Sequence, residues 1–450
     1  MIDLDKYRND SGRININLAE DDGVIDIERN PQQSILGART KYWCSNPTGD
    51  FLYKRTLLNN HEDFGEVLGY EFALLINLPC ADYDFAVFNG ENGVITSDIV
   101  GDDEELIGGN EILDYVNMKH IRPIQKICYK YYQLKQNKNN QKEYFEDLII
   151  LYDNSMIKSN KIDLLKNKYN NSDFNYDDGI KCLEEYFEEL SILYPYNYGG
   201  YSTNMIDEEK KYNDYFIQNG YSINGWNRKR QVVVSNNLMD IWSLIDVYCQ
   251  RKGYQYEDNH NIMLSLIRML VYDMILNQGD RHISNWSIIL NKKTKKIRFA
   301  PIYDNSKICN LDNSKEEIMQ KAQAIKRFEE NAMRMNPIKR NRSIINIERN
   351  LRGNIDSKLM IDYDDNVEEN NKFTMLEKLI DMSDSNIYDI IRDICDKFNY
   401  INITNIFTKI EHNSHIKIPD EVKIVVLKTI ELNINKINGI MEKYQERKMR

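Results

Sequence analysis

Between Asn285 and Asp304 the chain reads Trp286-Ser287-Ile288-Ile289-Leu290, then Asn291-Lys292-Lys293-Thr294-Lys295-Lys296, then Ile297-Arg298-Phe299-Ala300. Two apolar runs around a polar spacer predict a β-hairpin. A hairpin returns its two ends to one edge. Asn285, just before it, and Asp304, just after it in Ala300-Pro301-Ile302-Tyr303-Asp304-Asn305, can therefore converge on one ion. A further acid, Asp280, precedes Asn285 by five positions in Gly279-Asp280-Arg281-His282-Ile283-Ser284-Asn285. An acid that can accept a proton, beside an Asn and an Asp that can hold a hard cation, suits phosphoryl transfer. Magnesium takes one or two carboxylates and fills its remaining positions with phosphate and water. Asp-Arg-His alone also reads as a surface loop held by an ion pair. The spaced Asn and the acid beyond the hairpin favour the chemical reading.

The segment upstream supplies a rigid support. Ile262, Leu266, Ile267, Leu270, Val271, Met274 and Ile275 recur at three- and four-residue steps, which predicts an amphipathic to nearly buried helix. Its stop is expected at Asn277-Gln278-Gly279, with Gly279 taking the left-handed conformation that ends helices.

A second group of residues lies near the start. Ser34-Ile35-Leu36-Gly37-Ala38-Arg39-Thr40-Lys41 is followed by Asp50-Phe51-Leu52-Tyr53-Lys54-Arg55. The one Gly is neither a Walker A loop nor a Gly-x-Gly-x-x-Gly, and by itself reads as a hairpin turn. Lys54 ends a short apolar strand, where a cation can reach α- and β-phosphates. Glu66 then opens a helix-patterned run through Val67, Tyr70, Phe72, Ala73, Leu74 and Ile76. Strand-Lys followed by helix-Glu is the ion-pair order of kinases. Spacing does not choose between Glu66 and Glu71 as the partner.

Protein kinases combine a catalytic-loop Asp, an Asn five residues later and a metal-binding Asp beyond the next hairpin. Here the His follows the Asp, as in HipA-like kinases and the phosphoinositide-kinase branch. The chain resembles the HipA-like serine/threonine kinases over residues 30–310. Ser34 to Lys41 is similar to that family's phosphate loop, Ser-[IV]-x-Gly-Ala-x-x-Lys. Phe51-Leu52-Tyr53-Lys54, Gly65-Glu66-Val67-x-x-Tyr70-Glu71-x-Ala73 and Leu78-Pro79-Cys80-Ala81 are similar to its lysine strand and following helix. Asp280-Arg281-His282-x-x-Asn285 and Pro301-x-Tyr303-Asp304 match its catalytic and metal-binding segments. The resemblance implies an ATP- and magnesium-dependent enzyme. In it Asp280 is the base, Asn285 and Asp304 hold Mg2+, and Gly37, Ala38, Lys41 and Lys54 bind ATP. Aligning the helix at Phe72-Ala73 favours Glu66. The resemblance also implies self-phosphorylation at Ser34. Residues 1–29 are too few for the N-terminal subdomain of the family's toxin prototype, so an antitoxin-type partner is not implied.

The implied fold is α+β and bilobal, protein-kinase-like, with a β-rich N-lobe and a mostly helical C-lobe. Expected segments are an arm or edge strands over 1–29, an N-lobe over 30–100 with a hinge near Ser97–Val100, and a C-lobe over 101–314. A helical extension follows over 315–450. Residues 126–260 are rich in Asn, Lys and Tyr and carry no functional signal. The basic stretch Lys321, Lys326, Arg327, Arg334, Lys339, Arg340, Arg342, Arg349 and Arg352 reads as a solvated helical face or as a docking site for an acidic substrate or a phosphorylated segment.

A formal charge of −11 over 450 residues does not point to direct nucleic-acid binding. Seven scattered Cys without a Cys-x-x-Cys pair fit free thiols in the cytoplasm. The first residues lack an apolar signal core, and no membrane association is expected. His412-Asn413-Ser414-His415 has a metal-like spacing but no evident third ligand. A protein substrate is the first expectation. A small-molecule or lipid kinase and a nucleotide-binding pseudokinase are the alternatives.

Overall fold

The computed structural model describes residues 4–27, 39–46, 49–116, 248–257, 262–281, 285–332, 334–352 and 385–449, with isolated positions besides. Contacts divide the chain into two units, one of Met1–Gly109, Tyr254–Ile361 and Glu368–Arg450, the other of Asn110–Gly253 and Asp362–Val367. Most of the second unit lies outside the described residues.

In chain order the first unit opens with β1 (Ile14–Asn15), α1 (Ile16–Asp21), β2 (Asp26–Ile27), β3 (Lys41–Asn46), β4 (Gly49–Arg55), α2 (Glu62–Leu75), β5 (Asp84–Phe88) and β6 (Glu91–Ser97). The strands form a sheet of order β1-β5-β6-β4-β3-β2. The first residues, read as an arm or edge strands, thus contribute a strand at each edge. β1 runs parallel to β5, with Ile14 opposite Ala86, and β2 runs antiparallel to β3. Central β4 is flanked by β3 and β6, which places Lys41 opposite Lys54 and Lys54 opposite Val94. Alternate residues of a strand share a face. Tyr53, Ala86, Phe88 and Ile95 join Ile14, Ile16 and Ala19 in one core. Tyr42, Tyr53 and Phe88 meet edge to face or tilted there, with centroids 5.0 to 6.3 Å apart.

β7 (Glu104–Gly108) follows, and α3 (Gly109–Val116) leads into the second unit. The first unit resumes with β8 (Gln255–Tyr256), α4 (Ile262–Ile275), β9 (Ser287–Asn291) and β10 (Lys296–Phe299). These strands make a second sheet of order β7-β9-β10-β8. The predicted hairpin is β9–β10, with Ile288 opposite Phe299. Helix α4 is buried on nearly every side, as its apolar composition requires. Its stop differs from expectation. Asn277, not Gly279, takes the left-handed conformation, at φ 53°. The Gln278 and Asn277 amides cap the Asp273 and Met274 carbonyls, a Schellman arrangement in which Asn is the usual substitute for Gly.

The remaining described elements are helical: α5 (Lys315–Ala332), α6 (Pro337–Arg352), α7 (Ser385–Lys397), α8 (Tyr400–Ser414) and α9 (Asp420–Met449). Helix α9 packs on α4, α5, α6 and α8. The architecture is a mixed α+β fold, a β-sheet lobe joined to helical regions. Among the described residues no helix is long and apolar enough to cross a membrane.

Candidate active site

Lys54 leaves central strand β4 and is shared between two carboxylates. Its Nζ lies 2.5 Å from Glu66 Oε1 on α2 and 2.6 Å from Asp304 Oδ1, just beyond the hairpin. Glu66 is wholly buried. Its second oxygen accepts the Asn305 backbone N–H at 2.7 Å, so one side chain ties the lysine strand to the Asp304 segment. Burial opposes charge on Lys54, but Asp304 and Glu66 more than offset it and raise its pKa above the ordinary value. Burial likewise opposes ionisation of Asp304, yet Lys54, with Lys41 and Arg281, holds that carboxyl below the usual carboxylate range. Burial pushes Glu66 up against the pull of Lys54. Glu71, the competitor by spacing, meets Lys409 of α8 at 2.6 Å instead.

Helix α2 begins at Glu62, four residues before Glu66. Two acids in the first turn, Glu62 and Asp63, favour that end of a helix dipole. The helix can sit against the Asp304 segment because Gly65 and Gly69 face it. A Cβ on Gly65 would stand 2.5 Å from the Ser306 carbonyl oxygen, and one on Gly69 2.6 Å from Asn305 Cβ. Asp304 itself is left-handed, at φ 60°, a conformation Asp tolerates better than most side chains. Its N–H donates to the Tyr83 hydroxyl at 3.3 Å, and its carbonyl accepts from Gln278 Nε2 at 2.9 Å.

Arg281 organises the other half. The guanidinium is nearly fully buried. It donates to both oxygens of Asp273 on α4 at 3.1 Å, to the Asn285 carbonyl at 3.1 Å, to the Tyr303 carbonyl at 2.7 Å and to Asn305 Oδ1 at 2.8 Å. One planar cation thus joins the core helix, Asn285 and the Tyr303–Asn305 segment, a use suited to its fixed fork of donors. Asn285 Nδ2 donates to the Asp280 carbonyl at 2.7 Å, which leaves the amide oxygen for another partner. The Asp280 carboxylate pairs with Lys307 Nζ at 2.7 Å.

Lys54, Glu66, Asp280, Asn285 and Asp304 are thus linked through one bonded network. Lys41 is half-buried on neighbouring β3. Burial, then the nearby Lys54 ammonium, lowers its pKa. Arg39 forms a two-point ion pair with Glu62 at the start of α2. Ser34, Gly37 and Ala38 lie outside the described residues, as do His282, Ile283 and Ser284. Sequence reasoning assigned no role to Arg281, Asp273, Asn305 or Lys307. Asp273 did carry a signal, since a buried acid on an apolar helix needs a cation.

The donor set fits a magnesium ion. Asp304 offers an ionised carboxylate whose side chain is 35% exposed, and Asn285 offers an amide oxygen. No group of three or more His, Cys, Asp or Glu able to hold a metal occurs among the described residues. A hard ion that keeps several ligands for phosphate and water needs no such cage.

No protein-family model matches the chain, and a search of the curated proteins finds no match. Two of the solved structures that match the chain cover most of it. One is the Helicobacter pylori proinflammatory kinase CtkA, at 13% identity and TM-score 0.48, over 94% of this chain and 96% of that one. The other is a Shewanella oneidensis MR-1 toxin–antitoxin complex of HipA, HipB and operator DNA. It matches at 10% identity and TM-score 0.34, over 93% of this chain and 66% of that one.

Proposed function

We propose that the chain is an ATP- and magnesium-dependent kinase that phosphorylates a serine or threonine hydroxyl of a protein. The observation that supports this best is the sharing of Lys54 between Glu66 and Asp304, with Asp280 bonded into the same network through Asn285. Little covalent chemistry is asked of the protein in phosphoryl transfer, so positioning and charge supply most of the acceleration. Lys54, fixed by buried Glu66, binds the α- and β-phosphates as a point charge. Lys41, on the adjacent strand, adds positive charge on the same side. Asn285 and Asp304 would hold magnesium, which when bound neutralises charge on the β- and γ-phosphates. Asp280 orients the acceptor hydroxyl and takes its proton as the oxygen bonds to the γ-phosphorus. The bond from that phosphorus to the β–γ bridging oxygen breaks, and ADP leaves with the electron pair.

A finer part of the proposal is self-inactivation at Ser34, which rests on the sequence motif alone. A phosphate there adds about −1.5 to −2 charges to a loop that must lie against ATP phosphates. Arg39, Lys41 or Arg55 would capture it once the loop is expelled.

Incubating the purified chain with γ-labelled ATP and magnesium, alone and with a cell lysate, tests the reading. Label in protein supports it, and mass spectrometry reports whether Ser34 carries any. Label only in small products points to a small-molecule or lipid kinase. ATP binding without any transfer points to a pseudokinase.

A further inference from the structure

The Asp304 segment carries a second cation whose placement the phosphate-binding role of Lys54 does not explain. Lys307 follows Asp304 by three positions, and its ammonium reaches back to Asp280 Oδ2 at 2.7 Å. Its backbone root is held firmly. Asn305 N–H is bonded to Glu66, Asn305 Oδ1 to Arg281, and the Ser306 carbonyl oxygen lies 2.5 Å from where a Gly65 Cβ would stand. A turn closed by Ile308 N–H to the Asn305 carbonyl at 3.1 Å encloses Lys307. The lysine therefore links the segment that would hold magnesium to the carboxylate that would receive the acceptor's proton. Any phosphoryl group leaving a nucleotide held at Lys54 and Asp304, for a hydroxyl held at Asp280, passes between those two positions.

Two of the other cations of the site are committed. Lys54 serves Glu66 and Asp304, and Arg281 serves Asp273, Asn305 and two carbonyls. Lys307 has a side chain 41% exposed, so it can turn without a large desolvation cost. An ammonium has three donors on a flexible stem. It can keep one bond to Asp280 and give another to a phosphoryl oxygen. As an ion pair alone, a contact made by so exposed a lysine adds little to stability. A donor aimed at charge that develops in the transition state is worth about 10²–10³ in rate. The two roles are therefore separable by measurement.

Resting on the kinase reading above, we infer that Lys307 is a further catalytic residue, which touches the phosphoryl group in transit between nucleotide and acceptor. It accepts no proton. Its fixed positive charge follows the phosphoryl oxygens as the bond to ADP breaks and the bond to the acceptor oxygen forms.

The test compares the parent with Lys307→Met and Lys307→Arg, with magnesium present throughout. Self-labelling from γ-labelled ATP and release of inorganic phosphate report transfer. Calorimetry reports affinity for ADP alone and for ADP with aluminium fluoride, which mimics the phosphoryl group in transit. Lys307→Met is expected to lose about 10²–10³ in transfer rate and a comparable factor in affinity for ADP–aluminium fluoride. Its affinity for ADP alone stays within about 3-fold of the parent, and Lys307→Arg recovers part of both losses. Thermal melting of both variants close to the parent's value shows that folding is intact. The inference is overturned if Lys307→Met transfers within about 3-fold of the parent, or if ADP and ADP–aluminium fluoride affinities fall together. A parent that binds ADP yet transfers nothing overturns the kinase reading instead, a result that no Lys307 variant can produce.

Discussion

Glu66 and Asn305 are bonded across the site: the Glu66 carboxylate accepts the Asn305 backbone N–H at 2.7 Å while its other oxygen holds Lys54 at 2.5 Å. A glutamine in this place keeps the shape but presents one acceptor oxygen and an amide that cannot accept. Glu66→Gln is therefore expected to lower phosphoryl transfer about 10- to 100-fold. Glu71→Gln, which loses the ion pair with the exposed Lys409, is expected to stay within about 3-fold and to cost at most about 1 kcal/mol of stability. Side-by-side kinetics of the two variants decide between the carboxylates. Equal losses would contradict the geometry.

Asp273 is expected to matter for stability more than for its distance from the chemistry. Its carboxylate takes a two-point contact from the buried Arg281 guanidinium. Asp273→Ala leaves that cation uncompensated in the core, at a cost of about 3–5 kcal/mol. Urea unfolding measures it. A loss under about 1 kcal/mol would mean that Arg281 finds its balance elsewhere.

Two glycines make opposite predictions. Gly439 lies in α9 with open space where a Cβ would stand, so Gly439→Ala should stabilise the chain by about 0.5–1 kcal/mol. Gly65 also lies in a helix, but its Cβ would meet the Ser306 carbonyl oxygen at 2.5 Å. Gly65→Ala should push α2 away from the Asp304 segment, weakening the Lys54–Glu66 contact and lowering ATP affinity about 10-fold or more. Thermal melting and nucleotide titration together read both effects.

His61 sits at the start of α2, buried, with Nε2 lacking a hydrogen-bond partner. Burial lowers its pKa below the ordinary 6.5, against the pull of Asp63. The folded state therefore favours neutral His61, and below pH 6.5 the unfolded chain takes up the proton first. Stability from this group is present above its ordinary pKa and is lost as pH falls through and below it. Melting temperature should drop more steeply from pH 7 to pH 5.5 in the parent than in His61→Gln, a difference of slope that differential scanning fluorimetry can read. Parallel curves would contradict this assignment.

The elements with local periodicity were legible in the sequence. The β9–β10 hairpin and helix α4 follow from apolar runs whose spacing belongs to one element. What was not legible depends on contacts between distant segments. Nothing near Lys307 indicates that it turns back to Asp280, because a lone polar residue in a turn has no periodic signature. Gly65 was quoted only as part of a motif. Its steric role exists because Ser306, remote in sequence, arrives against it. The start of α2 at Glu62 was missed because the apolar pattern begins later than the acidic first turn. The helix stop at Asn277 was assigned to Gly279 because Gly is the commoner left-handed residue, and the deciding capping bonds are geometric. The choice of Glu66 or Glu71 could not be made from spacing. It is made in space, where one carboxylate turns inward to Lys54 and the other outward to Lys409.

The central claim is that Asp280 serves transfer while Asp304 serves nucleotide and metal. The most direct measurement follows label from γ-labelled ATP into protein, alongside calorimetric ATP binding with and without magnesium, for the parent, Asp280→Ala and Asp304→Ala. Asp280→Ala is expected to lose about 10²–10⁴ in transfer while binding ATP with magnesium like the parent. Asp304→Ala is expected to lose transfer and, in addition, the part of ATP affinity that depends on magnesium. Near-parental transfer in either variant, or magnesium-dependent binding that survives in Asp304→Ala, would contradict the claim.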